Sequence, residues 1–464
     1  CAARCTEALP HVLKQRATRM HDRRLREVWE DCFRPALTRP GFIRLVILLS
    51  GWVLTEGTHA VTAALVATDT ARRRHWAAFH RFLSRGSWSA DALGEQVFRR
   101  VTRGAGAAIR IVIDDTLAMK KGPKIFGLGN HLDPVRSTRR QKIFVFGHCW
   151  VVLAVLVHVP FSRRAWALPV LFRLYRNIKD CQRRRVAHRK KTDLAREMLN
   201  LVVEWSAGRR LEVAADGAYC NDTLSNGTLD NVVFFGSMRP DAVLTSLPTL
   251  ADRQRTGRRR KRGALLRKPE KLAHDGRTAW LLGHAMLYGK LTRIRYKTID
   301  AQWYRAMGTR LLRVVVVECT TGQLPLRVFF SSDATLSVET ILETYAGRWG
   351  IEVFFRDAKQ HLGFADSQAR TQAAVLRTAP LIGLLYSTLV IWCADEVYGT
   401  ALATPPLRPW YPHKRGLAFV DVLRAAQRAL ARCDVLDPRC YSADLRESGA
   451  LRPRPGDSGR ERAA

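Results

Sequence analysis

The spacing of apolar residues along the chain changes period several times, and each change marks an element. From Gly41 to about Arg103, apolar groups recur every three or four residues, as in FIRLVILLSGWVL and HWAAFHRFLS, the period of helices with one buried face. A cluster of short helices is expected there, either a small DNA-contacting domain or a helical cap with its arginines in solvent. After RGAGA the period gives way to a β-branched run, AIRIVIDDT (Ala108 to Thr116), which reads as a buried strand ending in two acids. The stretch Ile143 to Phe161 approaches transmembrane length, but it holds Gly147, His148 and His158 and is flanked by arginines. Two adjacent buried strands are expected, and no membrane helix.

Beyond it, TDLAREMLNLVVEWSA (Thr192 to Ala207) returns to a helical period. RLEVAADGAY (Arg210 to Tyr219) reads as a short strand with an acid at its end, and NVVFFGSM (Asn231 to Met238) as another strand. From about Arg239 to Phe330 the chain changes character: RIRYKTI and LLRVVVVEC look like strands around the basic run RQRTGRRRKRGALLRKPEK. Two helices follow, ETYAGRWGIEVFFRDAKQHLG (Glu343 to Gly363) and the apolar LRTAPLIGLLYSTLVIWCADEVYG (Leu376 to Gly399), and then a tail rich in Pro, Gly and Arg that is expected to be disordered. No internal repeat is found.

The order of strands and helices describes a mixed α/β layer. The expected divisions are an N-terminal extension (1–40), a helical region (41–106), the first part of the α/β core (107–238), a β-rich insertion with a basic loop (239–330), the rest of the core with a Glu-bearing helix (331–370), C-terminal helices (371–444) and the tail (445–464). Residue 1 is Cys rather than Met, which suggests a fragment or an uncertain start. No secretion signal is seen.

Charge narrows the choice of partner. The 464 residues carry 77 Lys and Arg against 41 Asp and Glu, a formal net charge of +36, which is the electrostatic footprint of a protein that binds a polyanion, nucleic acid first among them. The ten cysteines are scattered without a CxxC pair or interleaved histidines, so a reduced, cytoplasmic setting is expected and a zinc cluster is not.

Within so basic a chain, acids at strand ends ask for a reason. Two strands end in Asp and a late helix carries Glu, and three carboxylates converging at the C-terminal edge of a sheet repel one another unless divalent cations bind among them. Two such ions activate a water or hydroxyl and stabilise the leaving oxygen in phosphodiester chemistry. The late helix adds a polar strip: at about 100° per residue, Arg348, Glu352 and Lys359 fall within about 60° of Tyr345 on one side. Taken alone, Arg348 and Glu352 would be a surface ion pair of a few tenths of a kcal/mol.

The spacing Tyr345, Arg348, Glu352, Lys359 in YAGRWGIEVFFRDAKQHLG resembles the Tyr-Arg-Glu-Lys signature of bacterial DDE insertion-sequence transposases. IDDT resembles the first Asp motif of that family and ADGAY its second, and the likeness extends over roughly Ala108 to Arg370, with the long β insertion in the expected place. The resemblance implies an RNase H-like catalytic core. It further implies a metal-binding catalytic triad of Asp115, Asp216 and Glu352, holding Mg²⁺ or Mn²⁺ in two sites. Asp115 is preferred because Thr116 follows it; Asp114 is its rival, since neighbours on a strand point to opposite faces. Asp133, Asp222 and Asp357 are less well placed.

Tyr345, Arg348 and Lys359 match family positions that contact DNA phosphates. The expected partners are double-stranded DNA, as terminal inverted repeats and target, and a second copy of the chain in a synaptic complex. Arg258, Arg259, Arg260 and Lys261 are candidates for binding the repeats, with Arg183 to Lys191 a weaker one. The activity implied is end cleavage and strand transfer. A decayed transposase acting as a DNA-binding regulator and a structure-specific nuclease are the alternatives. Trp349 is expected to pack, and His148 to be a core histidine.

Overall fold

The computed structural model describes residues 24–445 apart from 123, 226–230, 255–256, 258, 320–325, 406–407, 411, 413–415, 432–433, 439–440 and 443–444. Among the described residues, five α-helices come first: α1 (24–33), α2 (Arg39–Leu54), α3 (Val61–Ala67), α4 (Ala77–Arg85) and α5 (Ala90–Val101). Their starts follow local chemistry. The Thr38 hydroxyl accepts the Gly41 N–H, with Pro40 in the first turn of α2, and the Ser89 hydroxyl accepts the Asp91 N–H at the head of α5. Leu25, Trp29, Cys32 and Phe33 of α1 are fully buried, so the folded body begins inside the stretch set apart as an extension.

Ten strands build one sheet: β1 (Ala108–Met119), β2 (Gly129–Leu132), β3 (Phe144–Val157), β4 (Trp166–Tyr175), β5 (Arg210–Ala215), β6 (Val232–Met238), β7 (Leu281–Leu287), β8 (Lys290–Ala301), β9 (Leu312–Cys319) and β10 (Arg327–Ser331). Their order is β2-β3-β1-β5-β6-β10-β9-β8-β7, with β4 also on β3. β1 lies antiparallel to β3 and parallel to β5, and β5 is parallel to β6. The apolar run expected to hold two strands is the single strand β3, because covered faces on both sides leave no reason for a turn and His148 is satisfied in place by the Phe126 carbonyl, 2.8 Å away. The insertion is no separate layer: β10 pairs with β6 over Val328–Ser331, so its strands prolong the core sheet.

Helices α6 (Ile178–Arg183) and α7 (Lys191–Trp205) follow β4, with the short α8 (Asp222–Ser225), α9 (Leu250–Gln254), α10 (Pro269–Ala273) and α11 (Tyr304–Met307) further on. The Glu-bearing helix is two helices, α12 (Val338–Gly347) and α13 (Trp349–His361), joined at Arg348. The Arg348 N–H bonds the Tyr345 carbonyl and the Ile351 N–H the Arg348 carbonyl, a tight i→i+3 turn of the kind that interrupts helices at functional positions. Gly363, at φ +62°, ends this segment in a conformation that disfavours other residues, and a Cβ there would meet His59.

Helix α14 (Gln372–Trp392) is apolar and long enough to cross a membrane, but it is buried inside the fold. It packs on β4 and ties down the N-terminal helices: Arg377 donates to the carbonyls of Leu83, Gly86 and Trp88, and Trp29 Nε1 donates to the Thr388 hydroxyl at 3.2 Å. Those helices therefore pack onto the core through α14. Helix α15 (Phe419–Leu430) closes the same side, with Phe419 stacked on Tyr386.

Candidate active site

The register of two parallel strands sets the site. Ile113 of β1 lies opposite Ala215 of β5, where β5 ends, so the next residues, Asp114 and Asp216, are neighbours on one face. Phe172 of β4 lies in register with Val152 and, through it, with Asp114, and packs against Phe354 of α13, which identifies this as the α13 face. Asp115 is in register with Val151 and Arg173, and Arg173 bonds Glu197 of α7. The two adjacent acids thus point to opposite sides of the sheet.

On the α13 side, Arg348 joins the acids. Its Nη1 donates to Asp114 Oδ2 at 2.6 Å and its Nη2 to Glu352 Oε1 at 2.8 Å, while the guanidinium lies 5.7 Å from the Tyr345 ring centre. Its Nε is buried with no hydrogen-bond partner among the described residues. Burial pushes the Asp114 carboxyl up from its ordinary 3.8 to about 7; Arg348 and the Asp115 N–H pull it down, and Asp115 and Asp216 add to the rise. Burial also works against the Arg348 cation, but Asp114, Tyr345 and Glu352 outweigh it and raise its pKa. Tyr345 packs on Phe329 at 4.7 Å and hydrogen-bonds Ser237, within the field of Asp216.

On the α7 side, Asp115 accepts from Lys191 Nζ at 2.6 Å and from the Tyr219 hydroxyl at 2.7 Å, with the Cys149 thiol 3.5 Å away. The Tyr219 N–H in turn bonds the Asp216 carbonyl. Burial and the negative charge of Asp115 raise the Tyr219 pKa, so the phenol remains a donor. This clasp ties the turn carrying Asp216 to β1.

The structure sets Asp114, the rival of Asp115 for the first position, on the face it shares with Asp216, and Arg348 bridges Asp114 to Glu352. The residue following an acid says nothing about its face, whereas the β1–β5 register does. In donor chemistry, three carboxylate oxygens suit a hard divalent cation. Among the described residues, however, no three His, Cys, Asp or Glu stand close enough to hold a metal ion, and Arg348 engages Asp114 and Glu352 together.

Lys359 is exposed on α13, in the field of Asp133 from the loop between β2 and β3, not on the carboxylates. Arg259, Arg260 and Lys261 are exposed, with Arg260 3.3 Å from Asp252; Arg258 lies outside the described residues. The run from Arg183 to Lys191 is largely engaged within the protein: Arg183 and Arg184 bond Asp180, Arg189 bonds Glu197 and Lys191 bonds Asp115. Asp357 is buried beside Arg356, Asp133 caps the N–H groups of Val135 and Arg136, and Asp222 opens α8. Trp349 is half-exposed, edge-on to Tyr288 at 6.1 Å. His148 is buried, and desolvation holds its pKa down at about 4.

Sequence reasoning missed Tyr219, and it set Lys191 in a basic run rather than beside Asp115. Tyr219 stood within ADGAY three residues after Asp216, a turn's length, but nothing along the chain paired it with Asp115.

Three antiparallel strands flanked by two parallel ones, with acids meeting at the edge where β5 ends, define an RNase H-like core of the DDE type. The chain belongs to the family of DDE superfamily endonucleases, whose model matches residues 32–291. The match takes in Asp114, Asp115 and Asp216 and stops short of α13. No curated protein matches the chain.

Proposed function

We propose that the protein is the transposase of a bacterial insertion sequence, cutting DNA at the ends of its element and joining the freed 3′-hydroxyls to target DNA. The observation that carries this reading is the pairing of Asp114 with Asp216 across β1 and β5, with Glu352 linked to the same face through Arg348. A divalent cation, Mg²⁺ or Mn²⁺, held by Asp114, Asp216 and Glu352 would activate the attacking oxygen and stabilise the leaving one.

The rest belongs to the chain's own groups. Arg348 presents a planar fork that suits a phosphate as well as a carboxylate, and a phosphate oxygen would satisfy its unpartnered Nε. DNA and the acids therefore compete for one guanidinium. Asp115 and Tyr219 hold the Asp216 turn in position. Arg259, Arg260 and Lys261, exposed cations, would contact terminal repeats, with Arg258 their neighbour in sequence. Two copies of the chain would act together on two ends, on the bacterial nucleoid.

The test is incubation of the protein with labelled DNA carrying the flanking inverted repeat and a target plasmid, with and without Mg²⁺. Cutting at the repeat boundary with joined product is expected, and Glu352→Gln should abolish both while retaining binding. Cutting without joining would identify a nuclease instead, and binding without cutting under any metal would identify a regulator.

A further inference from the structure

Past Asp114, β1 continues to Met119 paired with β3, and Lys120 extends the ladder through its N–H to the Phe146 carbonyl. This ribbon, with the segment 365–370 that follows α13, encloses an open cavity of about 1090 Å³. Five cations line it, Lys120, Lys121, Lys124, Arg136 and Arg370, against one acid, Asp366. Asp366 is already held by the His59 N–H at 3.1 Å. Lys120 is part of the wall, its Nζ donating to the carbonyls of Ala365 and Ser367, and the Phe126 N–H to Arg370 carbonyl bond fixes the other side. Between the cations, Phe144 is 62 % and Phe146 41 % exposed. Exposed aromatics rimmed by charge mark an interaction surface.

The charge selects the partner. Residues 120–142 hold seven cations (Lys120, Lys121, Lys124, Arg136, Arg139, Arg140, Lys142) and one acid, Asp133, so a second copy of a chain with net charge +36 would be repelled. A duplex offers phosphates for Lys121, Lys124, Arg136 and Arg370, and sugars and base edges for the phenyl rings.

Lys120 stands six positions past Asp114. At about 3.3 Å per residue of strand the ribbon spans about 20 Å, which at about 3.4 Å per base pair is about six base pairs.

We propose that this groove holds the duplex being cut, about six base pairs from the scissile phosphate, as a grip separate from the carboxylates and from the basic loop of the insertion. The assignment rests on the nuclease reading, since the cut fixes the origin of the ruler. Lys121, Lys124 and Arg136 are solvent-facing, so the triple variant Lys121→Ala/Lys124→Ala/Arg136→Ala folds with an unchanged melting temperature.

The test uses the full chain and fluorescent duplexes carrying the terminal repeat boundary, trimmed stepwise from about twelve base pairs to about two on either side of it. Wild-type affinity is expected to drop when one arm falls below about six base pairs, while the triple variant binds long and short duplexes alike. The variant should also lower the slope of log affinity against log salt by about three, one for each phosphate that is no longer neutralised. Equal trimming sensitivity in both proteins, or an unchanged salt slope, overturns the groove. A wild type that shows the length dependence but never cuts keeps the groove and removes the nuclease; one that cuts while the variant binds like wild type does the reverse.

Discussion

The two faces of β1 carry adjacent aspartates in opposite circumstances. Asp114 meets other acids and one arginine, and burial lifts its carboxyl toward neutrality at about 7. Asp115 meets a lysine and a tyrosine, two donors directed at one carboxylate. The difference teaches that an acid's role follows from the charges around it. Asp114 is set among like charges, the arrangement that a cation relieves. Asp115 is already neutralised, and its contacts lead through Tyr219 to the turn of Asp216. One face gathers like charges and the other pairs its acid with donors.

The largest effect should come from Asp114→Asn, which removes a charged ligand and preserves shape. Metal-dependent cleavage is expected to vanish while duplex binding stays, measured on labelled repeat DNA; Asp114→Asn cutting at wild-type rate would return the triad to Asp115.

Tyr219→Phe removes one hydrogen bond to a carboxylate, worth about 1.5–3 kcal/mol. It should lower the urea midpoint and reduce Mn²⁺ affinity by roughly 10–100-fold, the usual penalty for loosening the support of a ligand. Calorimetry showing unchanged Mn²⁺ binding in Tyr219→Phe would confine the clasp to stability alone.

Arg348→Ala should act in two directions. Freed of its guanidinium, the acid pair binds Mn²⁺ more tightly, while repeat DNA binds more weakly by about tenfold, as removal of one charge-assisted hydrogen bond of about 1.5 kcal/mol requires. If both affinities stay put, Arg348 is only a structural ion pair.

A further effect is in pH. Without metal, Asp114 is ionised in the unfolded chain above about 3.8 but keeps its proton in the folded one up to about 7. The folded state therefore binds more protons in that window, and stability falls as pH rises from about 4 to 7 and then levels. Asp114→Asn in chelator should flatten that part of the curve; an unaltered slope would show that Asp114 titrates normally.

Much of the fold was legible along the chain, because periodicity reports burial and burial reports elements. AIRIVIDDT is a strand, TDLAREMLNLVVEWSA a helix, and the apolar run after Leu376 a buried helix. What failed did so where the signal is not local. The covered run Ile143–Phe161 looked like two strands because nothing in it alternates. The helix around Arg348 looked continuous because its side chains keep a helical period across the tightened turn there. The ion pairs that the basic run Arg183–Lys191 makes with Asp180, Glu197 and Asp115 were not visible either, because those partners are brought in by the fold.

The sequence by itself determined the inventory: a strongly basic chain, strands that end in acids, and a helix with Tyr345, Arg348, Glu352 and Lys359 at set intervals. Chain spacing suffices for these because each depends on residues within a turn or two of one another. Only the tertiary structure decided that Asp114 shares a face with Asp216 and reaches Glu352 through Arg348, and that Lys191 and Tyr219 hold Asp115 on the other face. Both depend on the register between β1 and β5 and on which helix covers which side, distances across space that no interval along the chain encodes.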